Sequence, residues 1–405
     1  MIPLPVDELR GLGELDASAD EVTGVRVDSR LVAAGDLFVA VAGGEAYLDD
    51  ARARGAAATL VPRDAFAALA AIARSVRGRS SARVVGITGS YGKTTTKDVL
   101  AAIAGPQART VAAERSFNNE VGVPLTLCRL EANTEICIVE LGMRGFGQIA
   151  ALAAVARPEV GVVVAVGHVH LEKVGSLEGV VRAKSELFAA LPSGGTAIVP
   201  AGFPVVRDDL EVVRVGEDVR VESFEPPHLR TTLGDVEVSF TARHLAVNAL
   251  CALAAARALG LELPRRLEVQ FSDMRNQELE LPGGGLLLND AWNANPVSMR
   301  AALEHLRDRA GGRRTVAVLG DMAELGAYSD EGHLEVARAA AEVGVDVLVA
   351  VGPQARAYGG RWVATRDEAI ALVREELRPG DCVLVKGARS MGLEGIAAAL
   401  TNVAA

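Results

Sequence analysis

Short runs of apolar residues alternate with helical stretches along most of the chain. Strands that are buried on both faces of a parallel sheet appear as nearly continuous Val, Ile and Leu runs between amphipathic segments. The pattern therefore predicts an α/β fold built on parallel sheets. The runs are VVGIT (84–88), ICIVELG (136–142), EVGVVVAVG (159–167), TAIVP (196–200), GLLLND (285–290), TVAVLGD (315–321), VDVLVAVG (345–352) and DCVLVKG (381–387).

Two polar, turn-rich stretches interrupt this pattern. The piece RSVRGRSSA (74–82) comes just before the first run, and ELPRRLEVQFSDMRNQELELPGGG (262–285) follows a long alanine-rich helix. We therefore expect three domains, which comprise residues 1–82, 83–273 and 274–405.

The composition narrows the class of protein. The chain has 405 residues, of which 50% are apolar and 23% charged, which is typical of a globular protein with several cores. The net charge of −10, without a long basic run, argues against nucleic acid as a partner. No apolar run approaches the roughly 20 residues that span a bilayer, and the N-terminal segment lacks the pattern of a signal peptide. We expect a cytoplasmic monomer without membrane insertion, whose four separated cysteines are buried free thiols.

The stretch GITGSYGKTTTKDVL (86–100) nearly matches the phosphate-binding pattern G-x-x-x-x-G-K-[ST], but Ile87 stands at the first glycine position. It follows an apolar run and begins a helix, where backbone N–H groups and the positive helix end converge on phosphate oxygens. Lys93 would reach the β- and γ-phosphates of ATP, and the Thr94 hydroxyl would serve magnesium. The alternative is a glycine-rich turn that only starts a helix. The residues expected to hold the nucleotide are Gly89, Ser90, Gly92, Lys93, Thr94 and Thr95.

This variant loop, T-G-S-x-G-K-T-T, resembles that of the Mur ligases, ATP-dependent enzymes that form amide bonds in peptidoglycan synthesis. The resemblance covers nearly the whole chain, because further segments follow in the family's order. It implies a central phosphate-loop ATPase-like domain with a parallel sheet, a Rossmann-like C-terminal domain and a small N-terminal α/β domain. The segments are SFNNEVGVPLTL (116–127), IVELGMRGFGQI (138–149), HLEKVGSLEGVVRAKSELF (170–188), NANPVSMRAAL (293–303), LGDMAELG (319–326) and VLVKGARSMGLE (383–394).

Two of these segments, NANP-x-SM-x-AAL and LGDM-x-ELG, most resemble the family member that adds D-alanyl-D-alanine to a UDP-N-acetylmuramoyl tripeptide. The resemblance therefore implies a UDP-N-acetylmuramoyl peptide, D-alanyl-D-alanine and ATP as substrates. A carboxylate is a poor electrophile, so phosphoryl transfer from ATP would first make an acyl phosphate, which the amine then attacks. Two alternatives stay open: a Mur-like ligase for another amino acid or acid, and a nucleotide-binding scaffold that has lost ligation.

Two polar residues lie at the ends of predicted strands. Glu140 ends the run ICIVE, and His170 follows VGVVVAVG by a few residues. Ligands of open parallel sheets lie beyond the carboxyl ends of the strands, so both side chains are expected to face the phosphate loop. By resemblance they are magnesium ligands, and His170 is also expected to be catalytic. Considered alone, they indicate a solvated strand end and a capping or buried histidine.

Lysine is rare in this chain, since only five of the 42 basic residues are lysines. Lys93, Lys184 and Lys386 lie in segments that resemble family motifs, and we expect all three to be catalytic. Lys386 would neutralise the negative charge of the transferring phosphate or of the carboxylate of the incoming dipeptide. By contrast, Lys97 and Lys173 have no such support, and we interpret them as retained by chance.

Lys184 lies in the middle of a predicted apolar helical stripe. Leu177, Val181, Lys184, Phe188 and Leu191 are spaced 4, 3, 4 and 3 residues apart, which places them on one helix face. A lysine there must reach solvent, form a pair or lose its charge. In the resembling enzymes this lysine carries carbon dioxide as a carbamate and becomes an anionic metal ligand. The resemblance thus adds carbon dioxide to ATP and magnesium as cofactors.

The nucleotide contacts implied by the resemblance include several departures from the family pattern. ARHLAVN has Leu245 where relatives have asparagine, and the hinge has Arg275 followed by Gln277 instead of the family's R-x-E. NDAWNANP offers Trp292 as a stacking face for adenine or ribose. Nucleotide contacts are expected from Asn248, Arg275, Asp290, Asn293 and Asn295.

The substrate contacts rest on less distinctive segments. In VRVDSRLVAAGDLFVAV, Ser29 and Arg30 would hold the pyrophosphate of the UDP group, although a strand followed by a polar turn explains the same residues. The family's aromatic-Asp-Gly-His-Asp stretch is replaced by EAYLDDARARGAA (45–57). Substrate contacts are expected from Ser29, Arg30, Asn118, Asn119 and Arg389.

Overall fold

A computed structural model of the chain describes residues 1–168 and 171–401. Within these residues, strands and helices form three consecutive groups, each with its own sheets. The first strand of the second group begins at Arg83 and that of the third at Gln277. The proposed domain divisions therefore fall between sheets.

The N-terminal group contains a mixed four-stranded sheet and a two-stranded ribbon. Its elements are β1 (Leu4–Pro5), β2 (Gly13–Ala17), β3 (Glu21–Val22), β4 (Gly24–Arg26), β5 (Asp36–Val39), α1 (Leu48–Ala53), β6 (Ala58–Pro62) and α2 (Ala65–Gly78). The sheet has the order β2-β6-β5-β4, in which only β2 is antiparallel to its neighbour. Strands β1 and β3 form the ribbon.

The middle group contains a six-stranded sheet that is parallel throughout. Its first elements are β7 (Arg83–Thr88), α3 (Lys93–Ala104), β8 (Thr110–Ala112), α4 (Gly122–Leu127), β9 (Ile136–Glu140), α5 (Gln148–Ala156) and β10 (Val160–Val163). They are followed by α6 (Leu171–Val174), α7 (Leu177–Ala189), β11 (Thr196–Pro200), β12 (Glu211–Val215), β13 (Val221–Glu225), β14 (His228–Thr231), β15 (Gly234–Val238), α8 (Leu245–Ala258) and β16 (Arg266–Leu267). The large sheet has the order β12-β11-β10-β7-β9-β8, and β13 to β16 form a second sheet.

The C-terminal group is a six-stranded sheet with one antiparallel edge. Its elements are β17 (Gln277–Leu281), β18 (Gly285–Asn289), α9 (Pro296–Ala310), β19 (Thr315–Gly320), α10 (Ser329–Val343), β20 (Val347–Val351), β21 (Arg361–Val363), α11 (Arg366–Glu376), β22 (Cys382–Lys386) and α12 (Glu394–Thr401). The order is β17-β18-β22-β19-β20-β21, and β17 alone runs antiparallel to its neighbour. Among the described helices, none is both long and apolar enough to cross a membrane.

The α/β class and the predicted strands are confirmed. Each of the eight apolar runs contains a strand of one of the two large sheets, and all of these strands have parallel neighbours. The four cysteines are free and buried, as predicted. Burial raises the pKa of the Cys128, Cys137 and Cys251 thiols to about 12, so they are protonated at neutral pH.

Two local expectations were wrong. Most of the piece 74–82, interpreted as a break, belongs to helix α2, which Asp64 caps by accepting from the Phe66 and Ala67 amides at 3.0 Å. The segment 262–285 contains β16 and β17. Strand β17 alternates exposed polar and less exposed apolar residues, because it is an edge strand with one solvated face, and so it lacks the continuous apolar run of a central strand.

The N-terminal group shares its hydrophobic core with the middle group. Leu69, Ile72 and Val76 of α2 belong to the same buried cluster as Leu127 of α4 and Ile149 of α5. By contrast, the two buried clusters of the C-terminal group contain only residues from 281 onward. The C-terminal domain thus has its own core, whereas the N-terminal domain is completed by the middle one.

This difference predicts how truncated proteins behave. A protein ending at residue 273 should fold, because the three buried clusters formed by its residues are complete without the C-terminal domain, and it should bind ATP without forming an amide bond, because Lys386 is missing. A protein comprising residues 83–405 should aggregate, since it exposes the apolar faces of α4 and α5 that α2 covers. Size-exclusion chromatography, thermal unfolding and nucleotide titration provide the comparison. Cooperative unfolding of a monomeric 83–405 protein would contradict the shared core.

Candidate active site

The phosphate loop lies between β7 and α3, at the carboxyl edge of the middle sheet. Ile87 is fully buried within β7, so the position of the missing glycine belongs to the strand rather than to the loop. Gly92 has φ +79°, and a Cβ there would lie 2.6 Å from Asn248 Oδ1, so glycine is required at the start of α3. Lys93 begins α3, and its Nζ donates to the Gly89 carbonyl at 2.7 Å. The loop thus has the turn, helix start and lysine of a phosphate site.

Ser90 connects the phosphate loop with the segment after β10. Its Oγ donates to the Gly167 carbonyl at 3.1 Å and accepts from the Gly167 amide at 2.9 Å. The Ser90 amide donates to the Ala165 carbonyl at 2.8 Å. Ser90 therefore holds two loops together, and its direct contact with a nucleotide stays a prediction.

A buried carboxylate lies beside the phosphate loop. Glu140 ends β9 and is 1% exposed, and its two oxygens accept from Thr94 Oγ1 at 2.8 Å and from Asn118 Nδ2 at 2.7 Å. A hydroxyl and a carboxylate are hard oxygen ligands of the kind that magnesium prefers, so the residues present fit that ion. The predicted ligand His170 lies outside the described residues. In residues 1–168 and 171–401, no cluster of three His, Cys, Asp or Glu side chains forms a complete metal site.

The burial predicted for Lys184 is confirmed, but the surrounding stripe is rotated. Lys184 is 1% exposed and lies on the buried face of α7, whereas Leu177 and Val181 line a cavity. Burial, and then the positive charge of Lys93, lower the pKa of Lys184 well below its ordinary value. The neutral amine is therefore favoured at this position.

The C-terminal sheet presents a second group of polar residues. Lys386 ends β22 and is 2% exposed, and its Nζ donates to the carboxylate of Asp290, which follows the neighbouring strand β18. Lys386 Nζ also donates to the Asn293 carbonyl at 2.9 Å. The side chain of Asn295 caps α9 by accepting from the Ser298 amide at 2.9 Å. The segment that resembles the family motif thus forms the start of a helix directed at the same cavity.

Arg275 bridges the two groups of residues. Its Nη2 donates to Ser116 Oγ at 3.1 Å, and its buried Nε has no hydrogen-bond partner within the described parts of the chain. The guanidinium Cζ atoms of Arg275 and Arg389 lie 5.8 Å and 5.3 Å from the centroid of the Trp292 ring. The described lining of the cavity does not include Trp292, and its stacking on adenine or ribose stays a prediction.

These residues surround one cavity of about 690 Å³ between the middle and C-terminal domains. It brings together most of the predicted nucleotide and catalytic residues from two different sheets. Glu140 and Lys184 lie behind its wall rather than in the described lining. The predicted residues in the lining are Ser90, Gly92, Lys93, Thr94, Thr95, Asn248, Arg275, Asp290, Asn293, Asn295 and Lys386.

The predicted substrate residues lie outside this cavity. Arg30 forms a two-bond ion pair with Asp28, at 2.9 Å and 2.7 Å, and its side chain is 80% exposed. Ser29, on the same turn, is buried. The side-chain oxygen of Asn119 accepts from the amides of Val121 and Gly122, at 3.2 Å and 2.9 Å, and so stabilises the turn that precedes α4. A substrate role for these residues stays a prediction.

Three polar residues escaped the sequence-based reasoning or received little weight there. Ser116 Oγ lies 3.0 Å from Thr94 Oγ1 and accepts from Arg275, which places it between both domains. His244 lines the cavity, and burial lowers its pKa to about 4, so it is neutral at physiological pH. Lys97 is buried one helical turn after Lys93. The rarity of lysine in this chain and the i+4 spacing from Lys93 were the sequence features that could have indicated a role for Lys97.

The two domains also touch at residues outside the described lining of the cavity. The rings of His168 and Tyr328 lie 4.4 Å apart, although they belong to different domains. A Cβ on Gly326 would lie 2.8 Å from Glu172 Cγ, which shows how closely the C-terminal domain approaches α6. The middle and C-terminal domains are therefore in contact at α6 and Tyr328 as well as around the cavity.

Comparison with known proteins identifies the family. Residues 87–256 match the Mur ligase middle domain, and residues 265–389 match the Mur ligase glutamate ligase domain. The UDP-N-acetylmuramoyl-tripeptide–D-alanyl-D-alanine ligase of Escherichia coli K12 is 33% identical, with 99% of both chains covered. The chain belongs to the Mur ligase family. The enzyme of the same name from Mycobacterium tuberculosis H37Rv is 35% identical to this Mur ligase and covers 95% of it.

Solved structures agree with this assignment. A crystal structure of MurF from Acinetobacter baumannii superposes on this Mur ligase with a TM-score of 0.85, at 29% identity, and covers 98% of this chain and 99% of its own. The MurF ligase of Thermotoga maritima in complex with ADP gives a TM-score of 0.80 at 25% identity, covering 93% and 97%. The predicted family resemblance and three-domain α/β architecture are thereby confirmed.

The phosphate loop of this Mur ligase can be tested with two matched glycines. Gly92→Ala adds a Cβ against Asn248 at a left-handed position, and should weaken ATP binding by roughly tenfold or more. Gly147, with φ +80°, has no atom of the described residues within 4 Å of the point that a Cβ would occupy, so Gly147→Ala imposes similar strain of roughly 1–2 kcal/mol without a clash against them. Calorimetric titration with ATP and thermal unfolding separate the two effects. Equal loss of ATP affinity in both variants would argue against a phosphate site at Gly92.

Proposed function

We propose that this Mur ligase joins D-alanyl-D-alanine to a UDP-N-acetylmuramoyl tripeptide, using ATP and releasing ADP and phosphate, in peptidoglycan precursor synthesis. The observation that carries the proposal is the shared cavity, where a phosphate loop of one domain faces Lys386 and Asp290 of another. Relatives that match nearly the full length of the chain bear the name of this reaction. The proposed site residues follow from the geometry of this cavity.

The reaction must bring two anions together, the peptide carboxylate and the triphosphate of ATP. Lys93, Arg275 and Lys386 place positive charge around the cavity and would lower this repulsion. Transfer of the γ-phosphoryl group to a carboxylate oxygen gives an acyl phosphate and ADP. The dipeptide amine then attacks the acyl carbon, loses a proton and expels phosphate with the C–O bond electrons.

Thr94 and Glu140 are the described residues that would hold magnesium. When bound, magnesium supplies positive charge beside the phosphates. Asn118 fixes the orientation of the Glu140 carboxylate from the side opposite Thr94. His170 completes the proposed ligand set by family resemblance alone.

Lys184 is proposed to carry carbon dioxide as a carbamate. Its buried position favours the neutral amine, which is the form that attacks carbon dioxide. The new N–C bond forms with loss of one proton, and the product carries a negative charge. That charge would offset the nearby positive charge of Lys93, which contributes to lowering the pKa of Lys184.

Two exposed arginines are assigned to anionic groups of the two peptide substrates. Ser29 and Arg30 would contact the pyrophosphate of the UDP group, which requires Arg30 to exchange its ion pair with Asp28 for the ligand. Arg389, which forms an ion pair with Glu394 and faces Trp292, would receive the carboxylate of the incoming dipeptide. Both assignments rest on family resemblance and on the exposure of the guanidinium groups.

A panel of acceptors and amines tests the proposed function. The protein is incubated with ATP, magnesium, several UDP-muramoyl peptides and several amines, and the products are weighed by mass spectrometry. ADP release should require both the UDP-muramoyl tripeptide and D-alanyl-D-alanine, and Lys93→Ala should abolish it, because the lysine contacts the phosphates. Lys173→Ala, at an exposed lysine, is the matched control and should retain activity. Product with a different amine only would support another Mur-type specificity, and no product with any pair would support a scaffold.

Two variants of Lys184 test the carbamate. Lys184→Ala should fold and bind ATP but ligate poorly, and acetate or formate should restore part of the rate by occupying the vacated anionic position. Lys184→Arg keeps a permanent positive charge, so it should be inactive and resist this rescue. Ligation rates with and without the added carboxylates give the comparison. Normal ligation by Lys184→Arg would show that the lysine has only a structural role.

A further inference from the structure

Lys97 is a buried cation outside the motifs that carry the family resemblance. It is 3% exposed, lies one turn after Lys93 on α3, and forms an ion pair with Asp98 at 2.7 Å. Its Nζ also donates to the carbonyl oxygens of Ala113 at 2.8 Å and Arg115 at 3.0 Å. One ammonium group thus joins the phosphate-loop helix to the segment that follows β8.

Asp98 makes the corresponding connection to the hinge. Its Oδ2 accepts from the Ser272 amide at 2.8 Å, and its Oδ1 accepts from Ser272 Oγ at 3.1 Å. Lys97 Nζ lies 3.4 Å from the same hydroxyl. Ser272 precedes Arg275 by three residues, so the start of the connection to the C-terminal domain is held against α3.

The two segments that this pair holds meet again at the cavity. Arg115 precedes Ser116, and the Ser116 hydroxyl contacts Thr94 Oγ1 and accepts from Arg275 Nη2. The backbone at Arg115, Met274 and Asn276 is left-handed, with φ of +49°, +58° and +47°. Such positions are costly for residues other than glycine, and they persist where surrounding contacts enforce them. The contacts of Lys97 and Asp98 are adjacent to these positions.

We propose that Lys97 and Asp98 form a buried positioning pair that sets Arg275 and Ser116 against the phosphate loop, and so acts on the ligation reaction without touching substrate. The inference rests on the proposed function, because Arg275 is taken to serve the transferring phosphate. The pair occupies the junction of three segments: α3, the loop 113–116 and the hinge at 272–276. Displacement of Arg275 would break its hydrogen bond to Ser116 and shift its charge relative to the phosphate loop.

The competing explanation is that the ion pair serves only to stabilise the fold. The small net stability expected of a buried ion pair favours the positioning role instead. Buried ion pairs contribute little net stability compared with apolar residues of similar volume, because both charges must be desolvated. Four oxygen atoms lie around Lys97 Nζ, and they belong to Asp98, Ala113, Arg115 and Ser272. These residues lie on the three segments, α3, 113–116 and 272–276, that carry Thr94, Ser116 and Arg275. These directional contacts hold α3 against both the loop after β8 and the hinge, whereas an apolar contact has no fixed direction.

A double-mutant cycle between Lys97 and Arg275 tests the proposal. Lys97→Met should lower kcat roughly 10- to 100-fold, the loss expected for a displaced positive group of the site, with a smaller loss of ATP affinity because the other nucleotide contacts are unchanged. In the Arg275→Gln background, Lys97→Met should lower kcat less than about twofold further, because the two residues act through one interaction. Multiplication of the two separate losses would overturn the proposal, as would wild-type kcat in a folded Lys97→Met protein.

Two further variants distinguish the proposed effect from misfolding. The double replacement Lys97→Met with Asp98→Asn removes both charges, leaves no unpaired buried ion, and should show the same kcat loss and the same lack of additivity. Arg314→Met breaks another partly buried ion pair, with Asp381 at 2.8 Å in the C-terminal domain, and should combine multiplicatively with Arg275→Gln. Non-additivity for Arg314→Met as well would show a general stability effect and overturn the proposal. Because every rate is compared with that of the unaltered protein, absence of ligation by the latter refutes the proposed function instead.

Discussion

The arrangement of this protein depends on one topological constraint: the carboxyl ends of the parallel strands of two sheets, from different domains, face the same cavity. Strands β7 and β9 lead to the phosphate loop and Glu140, while β18 and β22 lead to Asp290 and Lys386. In a parallel sheet all strands end at one edge, so polar residues from distant parts of the sequence gather there without disturbing the apolar interior. Neither sheet alone provides both the phosphate loop and the buried lysine–aspartate pair.

Charge explains why so many of the buried polar groups lie at this boundary. Lys93, Lys184 and Lys386 all approach the site from buried or half-buried positions, where an isolated charge is costly. The cost of burying each charge is lowered in a different way. Lys386 pairs with Asp290, Lys93 donates a hydrogen bond to a carbonyl of its own loop, and burial lowers the pKa of Lys184. A bound anion could take the place of the partners of Lys386 and Lys93, and a covalent change could alter the charge of Lys184. This is what a phosphate-binding site is expected to require.

The sequence predicted the parts of the fold that rest on local pattern. All eight apolar runs are strands, and the loop from Gly89 to Thr95 was recognisable because its glycines, lysine and threonines stand between a strand and a helix. What escaped prediction depends on tertiary context. Helix α2 looked like a linker because its end is rich in arginine and serine, yet its apolar face completes the core of the next domain. Lys97 looked incidental because its partners, Ala113, Arg115 and Ser272, are distant in sequence.

The central claim is that one cavity performs phosphoryl transfer to a carboxylate and then amide formation. The most direct measurement follows oxygen from the peptide substrate, using a UDP-muramoyl tripeptide whose terminal carboxylate carries ¹⁸O. If the carboxylate attacks the γ-phosphorus of ATP, one labelled oxygen must leave with the phosphate when the amine displaces it, so mass spectrometry should find singly labelled phosphate in amounts equal to the product. Labelled AMP accompanied by unlabelled pyrophosphate would indicate attack at the α-phosphorus instead. Amide product with no label in any phosphate-containing species would contradict the account.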